Sequence, residues 1–362
     1  MTYAVGDFLI TQWLFSSGGK YDFDLAESCV QVQSTADVVL DPQLLLDYSP
    51  DRGQSEARHA VAELYAGACT LDDVVLTHGG QEALYLFYRT FLRPGDHVIT
   101  TIPGWQQSWE VPRAAGCVVS ELVWRPGDRF DVEALRKALR PETSLVVLCS
   151  PGNPSGCVLT EDEWTAILAM LDRAGVWLLS DEEFLPELST SIIRQYPRCI
   201  SVSSLSKKYG LPGLRLGWAA TASAEGRAVI DKMINYKRYT SIANSPICEQ
   251  IGLHVLSNLV PQQERYLSLL REGAKLLDEF AARNSDVISV VPPQGTPYAW
   301  VHLDPTISSF GLARRLLDEY RVLIMPAEVF ASEHGFRLTY ARPTDVLSSG
   351  LDRLSTLLAT FR

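Results

Sequence analysis

The chain is short of cations. Its 32 Lys and Arg stand against 43 Asp and Glu, a formal net charge of −11 over 362 residues. An acidic surface repels phosphate backbones, so nucleic acid is not an expected partner, although a small anion answers to local charge rather than to the total. Paired cysteines are missing too. Cys29, Cys69, Cys117, Cys149, Cys157, Cys199 and Cys248 show no CxxC spacing, and several sit in apolar runs such as VVLCS. That is the pattern of reduced, mostly buried thiols in a cytoplasmic protein. The six histidines have no ligand spacing, so no metal site is expected. No apolar run approaches membrane-spanning length, and the start, MTYAVGDFLITQW, lacks the basic opening of a signal peptide. Repeats and low-complexity tracts are absent, the 24 Gly and 20 Pro being dispersed. What is present is a chain 46% hydrophobic, long enough for one large domain and a smaller one.

From about residue 72, short apolar runs alternate with helical spacing. DVVLT (73–77), HVITT (97–101), SLVVLCS (144–150), VWLLS (176–180) and CISVS (199–203) have the composition of buried strands. QEALYLFYRTFL (81–92) has helical apolar spacing. LTEDEWTAILAMLDRAG (159–175) opens with a capping box, Thr160 and Glu163, and stops at Gly175. Strand, loop and helix in repetition predict an α/β fold with a mostly parallel sheet. In such sheets ligands sit at the carboxyl ends of the strands. The unusual residues fall there: Gly79-Gly80, Pro103-Gly104-Trp105, Pro151-Gly152-Asn153, Asp181 and a stretch with two lysines. After residue 258 a long charged helix, roughly 261–283, opens a smaller α+β domain. We place the large domain at 46–257, and the small one at 258–362 with 1–45 added to it.

The lysine stretch is SSLSKKYGLPGLRLGW (203–218). A lone lysine is ordinarily a solvated surface charge. Lys207, however, follows a buried strand with Ser204 and Ser206 before it, and a lysine held in a tight, desolvated loop can lose its proton and act as a nucleophile. Gly210 and Gly213 permit close backbone approach. Arg215 offers a fork suited to phosphate. Lys208 lacks that setting and is expected to be a surface cation or a packing stem.

SLSKKYGLPGLRLGW resembles the Schiff-base lysine motif of fold-type I pyridoxal-phosphate enzymes, the aminotransferase class I/II superfamily. The likeness runs from about Tyr48 to Arg337, with its motifs in the expected order. It implies the fold-type I transferase fold, pyridoxal 5'-phosphate as cofactor, an amino acid substrate and a homodimer with shared sites. Carried over, it makes Lys207 the catalytic lysine, which holds the cofactor and later moves protons at the substrate Cα. Asp181 would pair with the pyridine nitrogen, Asn153 with O3′, and Trp105 would stack on the ring. Gly80, Gln81, Ser204 and Arg215 would cup the phosphate. Arg337 would clamp the substrate α-carboxylate, and Tyr48 would reach the phosphate of the neighbouring subunit. Taken singly, Asp181 also suits a helix cap, Asn153 a turn and Trp105 a core.

Two departures stand out. Aminotransferases of this group place a tyrosine three residues after the aspartate; here it is Phe184, so one donor to O3′ is missing. The segment KYDFDLAESCVQ (20–31) replaces the usual Gly- and Pro-containing lid, and its Asp22, Asp24 and Glu27, with Ser28 beside them, suit either a guanidinium or plain solvent. With YTSIANSPICEQIG (239–252), these features are similar to the capreomycidine synthase group of cyclases. That narrower resemblance implies dehydration and cyclisation of a hydroxylated arginine to a cyclic guanidino amino acid of the capreomycidine or enduracididine type. An aminotransferase passing its amino group to a 2-oxo acid needs the same residues and stays open. A cofactor-binding regulator fused to DNA-binding helices is not expected, because the likeness begins near the start of an acidic chain.

Overall fold

Residues 4–362 are described in a computed structural model. The strands of the large sheet are β1 (Val74–Thr77), β2 (His97–Ile102), β3 (Val118–Val123), β4 (Thr143–Cys149), β5 (Trp177–Asp181), β6 (Cys199–Ser204) and β7 (Gly217–Ala220), in the spatial order β1-β7-β6-β5-β4-β2-β3. Only β7 runs against the rest, so the sheet is parallel but for one strand. The five strands expected from sequence are all present, with ends moved by at most one residue. β3 and β7 were not anticipated. β3 is an edge strand only partly buried along its length, so it lacks the continuous apolar run that marks the others. β7 is the four-residue GWAA that begins in the last two residues of the lysine motif, too short for a period to show.

The helix Glu161–Ala174 keeps its capping box: Thr160 Oγ1 accepts from the Glu163 amide, and the Glu163 carboxylate accepts from the Thr160 amide. Gly175 closes it with φ 67°. Helices cover both faces of the large sheet over two apolar cores, one including Leu76, Val146 and Leu178, the other Val75, Leu145 and Leu179. Alternation along each strand sends successive residues to opposite cores.

A second sheet orders Met325–Pro326, Phe336–Thr339, Tyr298–Leu303 and Ile288–Val290, all antiparallel. Its core draws Ile10, Trp13 and Leu25 from the N-terminus together with Phe280, Trp300 and Leu351. The N-terminal segment is therefore folded onto the C-terminal sheet. Phe23–Asp24 pairs in parallel with Val322–Leu323, and helix α1 (Leu9–Ser16) is pinned by Trp13 Nε1 donating 2.8 Å to the Ile324 carbonyl. Arg342 fastens the segment that follows, donating to the carbonyls of Asp24, Cys29 and Glu27.

β7 approaches helix α2 (Gly79–Phe91) so closely that a Cβ on Gly217 would lie 2.5 Å from Gly79 C and Gly80 N. Both are backbone atoms at the start of a packed helix, so neither can yield cheaply. Gly217→Ala is expected to cost about 1–3 kcal/mol through overpacking, seen as a lower urea midpoint at unchanged m-value.

Candidate active site

The parallel strands end together at Thr77, Ile102, Cys149, Asp181 and Ser204, and the loops leaving them surround a cavity of about 530 Å³. From the large sheet's side it is lined by Gly80, Gln81, Trp105, Asn153, Asp181, Phe184, Lys207 and Arg215. Arg337 comes from the C-terminal sheet, and Glu27 and Ser28 from the N-terminal segment. α1 adds an apolar wall of Ile10, Leu14 and Phe15. Residues some three hundred positions apart thus meet in one space.

Lys207 Nζ donates 2.9 Å to Glu27 Oε1. The side chains are 21% and 30% exposed, an exposure that faces the cavity rather than bulk water. The Lys207 ammonium holds the Glu27 carboxyl down to about 2, against a burial that would raise it, with Arg337 and Arg342 assisting. Burial acts to lower the Lys207 pKa, but Glu27, Cys29 and Glu183 outweigh it and the net shift is upward. Lys207 is thus kept protonated by its neighbours. Lys208 turns away: Nζ donates to the Pro186 carbonyl and lies near the rings of Tyr209 and Tyr266.

Arg337 is 2% exposed and sits 5.1 Å from the Tyr298 ring centroid and 5.0 Å from that of Phe330. Nη1 donates 2.6 Å to Asn153 Oδ1 and Nη2 donates 2.6 Å to the Ala26 carbonyl, while Nε has no partner. A buried guanidinium with an unused donor is costly unless an acceptor arrives. Phe184 is buried edge-on against Tyr298, whose hydroxyl donates 3.0 Å to the Gly152 carbonyl. Trp105 lies edge-on to Phe8, and its neighbour Gln106 holds the N-terminal segment by accepting from the Leu9 amide and donating to the Asp7 carbonyl.

Asp181 is buried and has no ion-pair partner among the described residues. Desolvation first, then the Glu183 charge, pushes its carboxyl up to about 7. Arg215, at φ 49°, turns back onto the start of α2 and donates to the His78 carbonyl. Ser204 stands behind the cavity wall, donating 2.6 Å to Glu183. Three expected site residues are not gathered in. Tyr48 is 78% exposed. Asp24 accepts from the amides of Ala26 and Glu27, and so shapes the turn that presents Glu27. Asp22, the third lid carboxylate, pairs on the surface with Arg321 and Arg353. Sequence reasoning missed Glu183 and Arg342. The second arginine of FRLTYARP was a signal for Arg342.

A family model described as aminotransferase class I and II matches residues 14–354. The chain belongs to that family. It is a pyridoxal-phosphate enzyme of the aminotransferase fold. It is 29% identical to a capreomycidine synthase of Streptomyces vinaceus, over 88% of this chain and 82% of that one. It is 28% identical to an aspartate/prephenate aminotransferase of Thermus thermophilus, over 94% and 90%. Among solved structures, the PLP-dependent cyclase OrfR superposes with a TM-score of 0.89 at 25% identity, covering 99% of this chain and 98% of that one. The cofactor suits this cavity on its own terms. A buried carboxylate without a cation, Asp181, suits a protonated pyridine nitrogen, and the first-turn amides of α2 with Arg215 suit a phosphate.

Glu27→Gln removes the carboxylate that keeps Lys207 protonated, so the Lys207 pKa should fall. The pH profile for cofactor attachment to the cofactor-stripped protein should then shift to lower pH, read from the rate at which the imine absorbance appears across a pH series.

Proposed function

We propose that this protein dehydrates and cyclises a hydroxylated arginine to a cyclic guanidino amino acid. The observation that carries the proposal is Glu27, a carboxylate held inside the cavity at Lys207, where a neutral amino acid substrate needs none. Likeness to a capreomycidine synthase and to a cyclase supports it. The replacement of a phenol by Phe184 supports it further, since it removes one donor from the site used in amino transfer.

On this reading Asp181 would hold the pyridine nitrogen, Asn153 the ring hydroxyl, Gly80, Gln81, Ser204 and Arg215 the phosphate, and Trp105 would pack on the ring. The cofactor supplies an electron sink for charge developing at the substrate Cα. Arg337 takes the α-carboxylate with its unused Nε. Glu27 exchanges Lys207 for the substrate guanidinium, a bidentate pairing suited to a carboxylate. Lys207, relieved of that partner, loses its proton and becomes the base that removes hydrogen from Cα. The side-chain hydroxyl leaves as water, from Cβ directly or from Cγ after a second proton is taken. A guanidine nitrogen adds to the alkene so formed and gives up its proton, and a proton returns to Cα, and on the Cγ route to Cβ as well. The product is the substrate less one water, and no amino acceptor takes part.

The same reading divides the chain into a large domain, 46–257, and a small one, 1–45 with 258–362. It makes the protein a homodimer, for which Tyr48 stands ready in an exposed apolar stretch with Val39, Leu45 and Leu46.

Mass spectrometry of products from arginine and its 3- and 4-hydroxy derivatives tests the reaction. We expect loss of water without any 2-oxo acid, and none with Lys207→Ala. Amino-group loss that depends on an added 2-oxo acid would make the protein an aminotransferase.

A further inference from the structure

Glu183 occupies a place where a carboxylate is out of keeping. It lies two residues past Asp181, on the loop leaving β5, and its amide donates 3.2 Å to Asp181 Oδ1. Its side chain reaches over the start of α2, where a Cβ on Gly80 would collide with Oε1. Its other oxygen accepts the Ser204 hydroxyl at 2.6 Å. Burial raises its pKa, opposed by the Ser204 hydrogen bond and by the charges of Lys207 and Arg215, which favour the ionised form. Gly80, Ser204 and Arg215 are three members of the cup assigned above to the cofactor's phosphate. A carboxyl group of the chain itself therefore already fills the space over Gly80 and takes the Ser204 hydroxyl.

Carboxylate and phosphate cannot share the cup, because each needs the Ser204 hydroxyl and the approach that Gly80 leaves open, and two like charges in contact repel strongly in a desolvated site. The structure also shows where the carboxylate can go. Glu183 lines a second, adjoining cavity of about 210 Å³, together with Ser204 and Lys208. Lys208 is held there by the Pro186 carbonyl and the rings of Tyr209 and Tyr266, and burial lowers its pKa against the more distant charge of Glu187. A partly desolvated ammonium without a carboxylate partner in contact is a natural receiver for a displaced one.

We propose that Glu183 is a resident anion of the phosphate cup, displaced toward Lys208 when the cofactor binds. This rests on the reading of the cup as the phosphate site. It gives the paired lysines distinct tasks: Lys207 performs the chemistry, and Lys208 takes up the carboxylate that must make way. Cofactor affinity is then set by a competition internal to the protein.

The test is cofactor binding rather than turnover. Wild type, Glu183→Gln, Lys208→Gln and the double variant are stripped of cofactor, checked for unchanged far-UV circular dichroism, and titrated with pyridoxal phosphate by imine absorbance. Pyridoxal, which lacks the phosphate, is the control. Glu183→Gln should bind pyridoxal phosphate about tenfold tighter or better, and pyridoxal unchanged. Lys208→Gln should weaken pyridoxal phosphate in the wild-type background and have no effect beside Glu183→Gln. Unchanged or weaker binding by Glu183→Gln would overturn the proposal and make Glu183 a protonated donor to the phosphate. Tighter binding by Glu183→Gln with an inert Lys208→Gln would overturn the route toward Lys208. Absence of imine absorbance in the wild type would instead remove the cofactor reading, and this proposal with it.

Discussion

The contact between Lys207 and Glu27 is the one on which the remainder of the site depends. It joins the end of a buried strand to a segment 180 positions earlier in the chain. Neither group would be stable there alone, since an unpaired charge in a cavity walled by Ile10, Leu14 and Phe15 would pay heavily for lost water. Together they are tolerated, and each fixes the other's protonation. Arg337 repeats the arrangement one step away: its fork spans Asn153 on the large sheet's loop and the Ala26 carbonyl on the N-terminal segment. Two cations from different sheets therefore hold the same short stretch, residues 26–27, over the cavity.

Much of this was legible in the chain because parallel sheets collect their chemistry at one end. Once β1, β2, β4, β5 and β6 were recognised as apolar runs, Gly80, Trp105, Asn153, Asp181 and Lys207 had to converge. Local context distinguished Lys207 from Lys208, and of the two only Lys207 lines this cavity, where it meets Glu27. What stayed hidden depends on tertiary contacts. Asp22, Asp24 and Glu27 are alike as letters, spaced over six positions; only packing decides that the first pairs on the surface, the second caps a turn and the third enters the cavity. Glu183 carried no signal because its meaning lies in the absence of a side chain at Gly80, which belongs to another loop. β3 was invisible because an edge strand that is half wet has no need of an unbroken apolar run.

Phe184 shows how one substitution is absorbed by its surroundings. Its ring is buried edge-on against Tyr298, and that tyrosine spends its hydroxyl on the Gly152 carbonyl beside Asn153. The loop bearing Asn153 is thus braced from beneath. Asn153 in turn steadies Arg337, so the aromatic pair and the polar fork form one connected layer under the cavity.

The N-terminal segment has a standing of its own. Helix α1 is fixed by Trp13 to the Ile324 carbonyl and by the Gln106 exchange with Asp7 and Leu9, and Arg342 gathers the carbonyls that follow. None of these anchors uses Lys207, Asp181 or Arg215. Helix α1 is therefore held in place independently of Lys207, whereas residues 26–27 beyond it are held by Lys207 and Arg337. Such an architecture lets the apolar wall of Ile10, Leu14 and Phe15 be recontoured without loosening Lys207, Asp181 or Arg215.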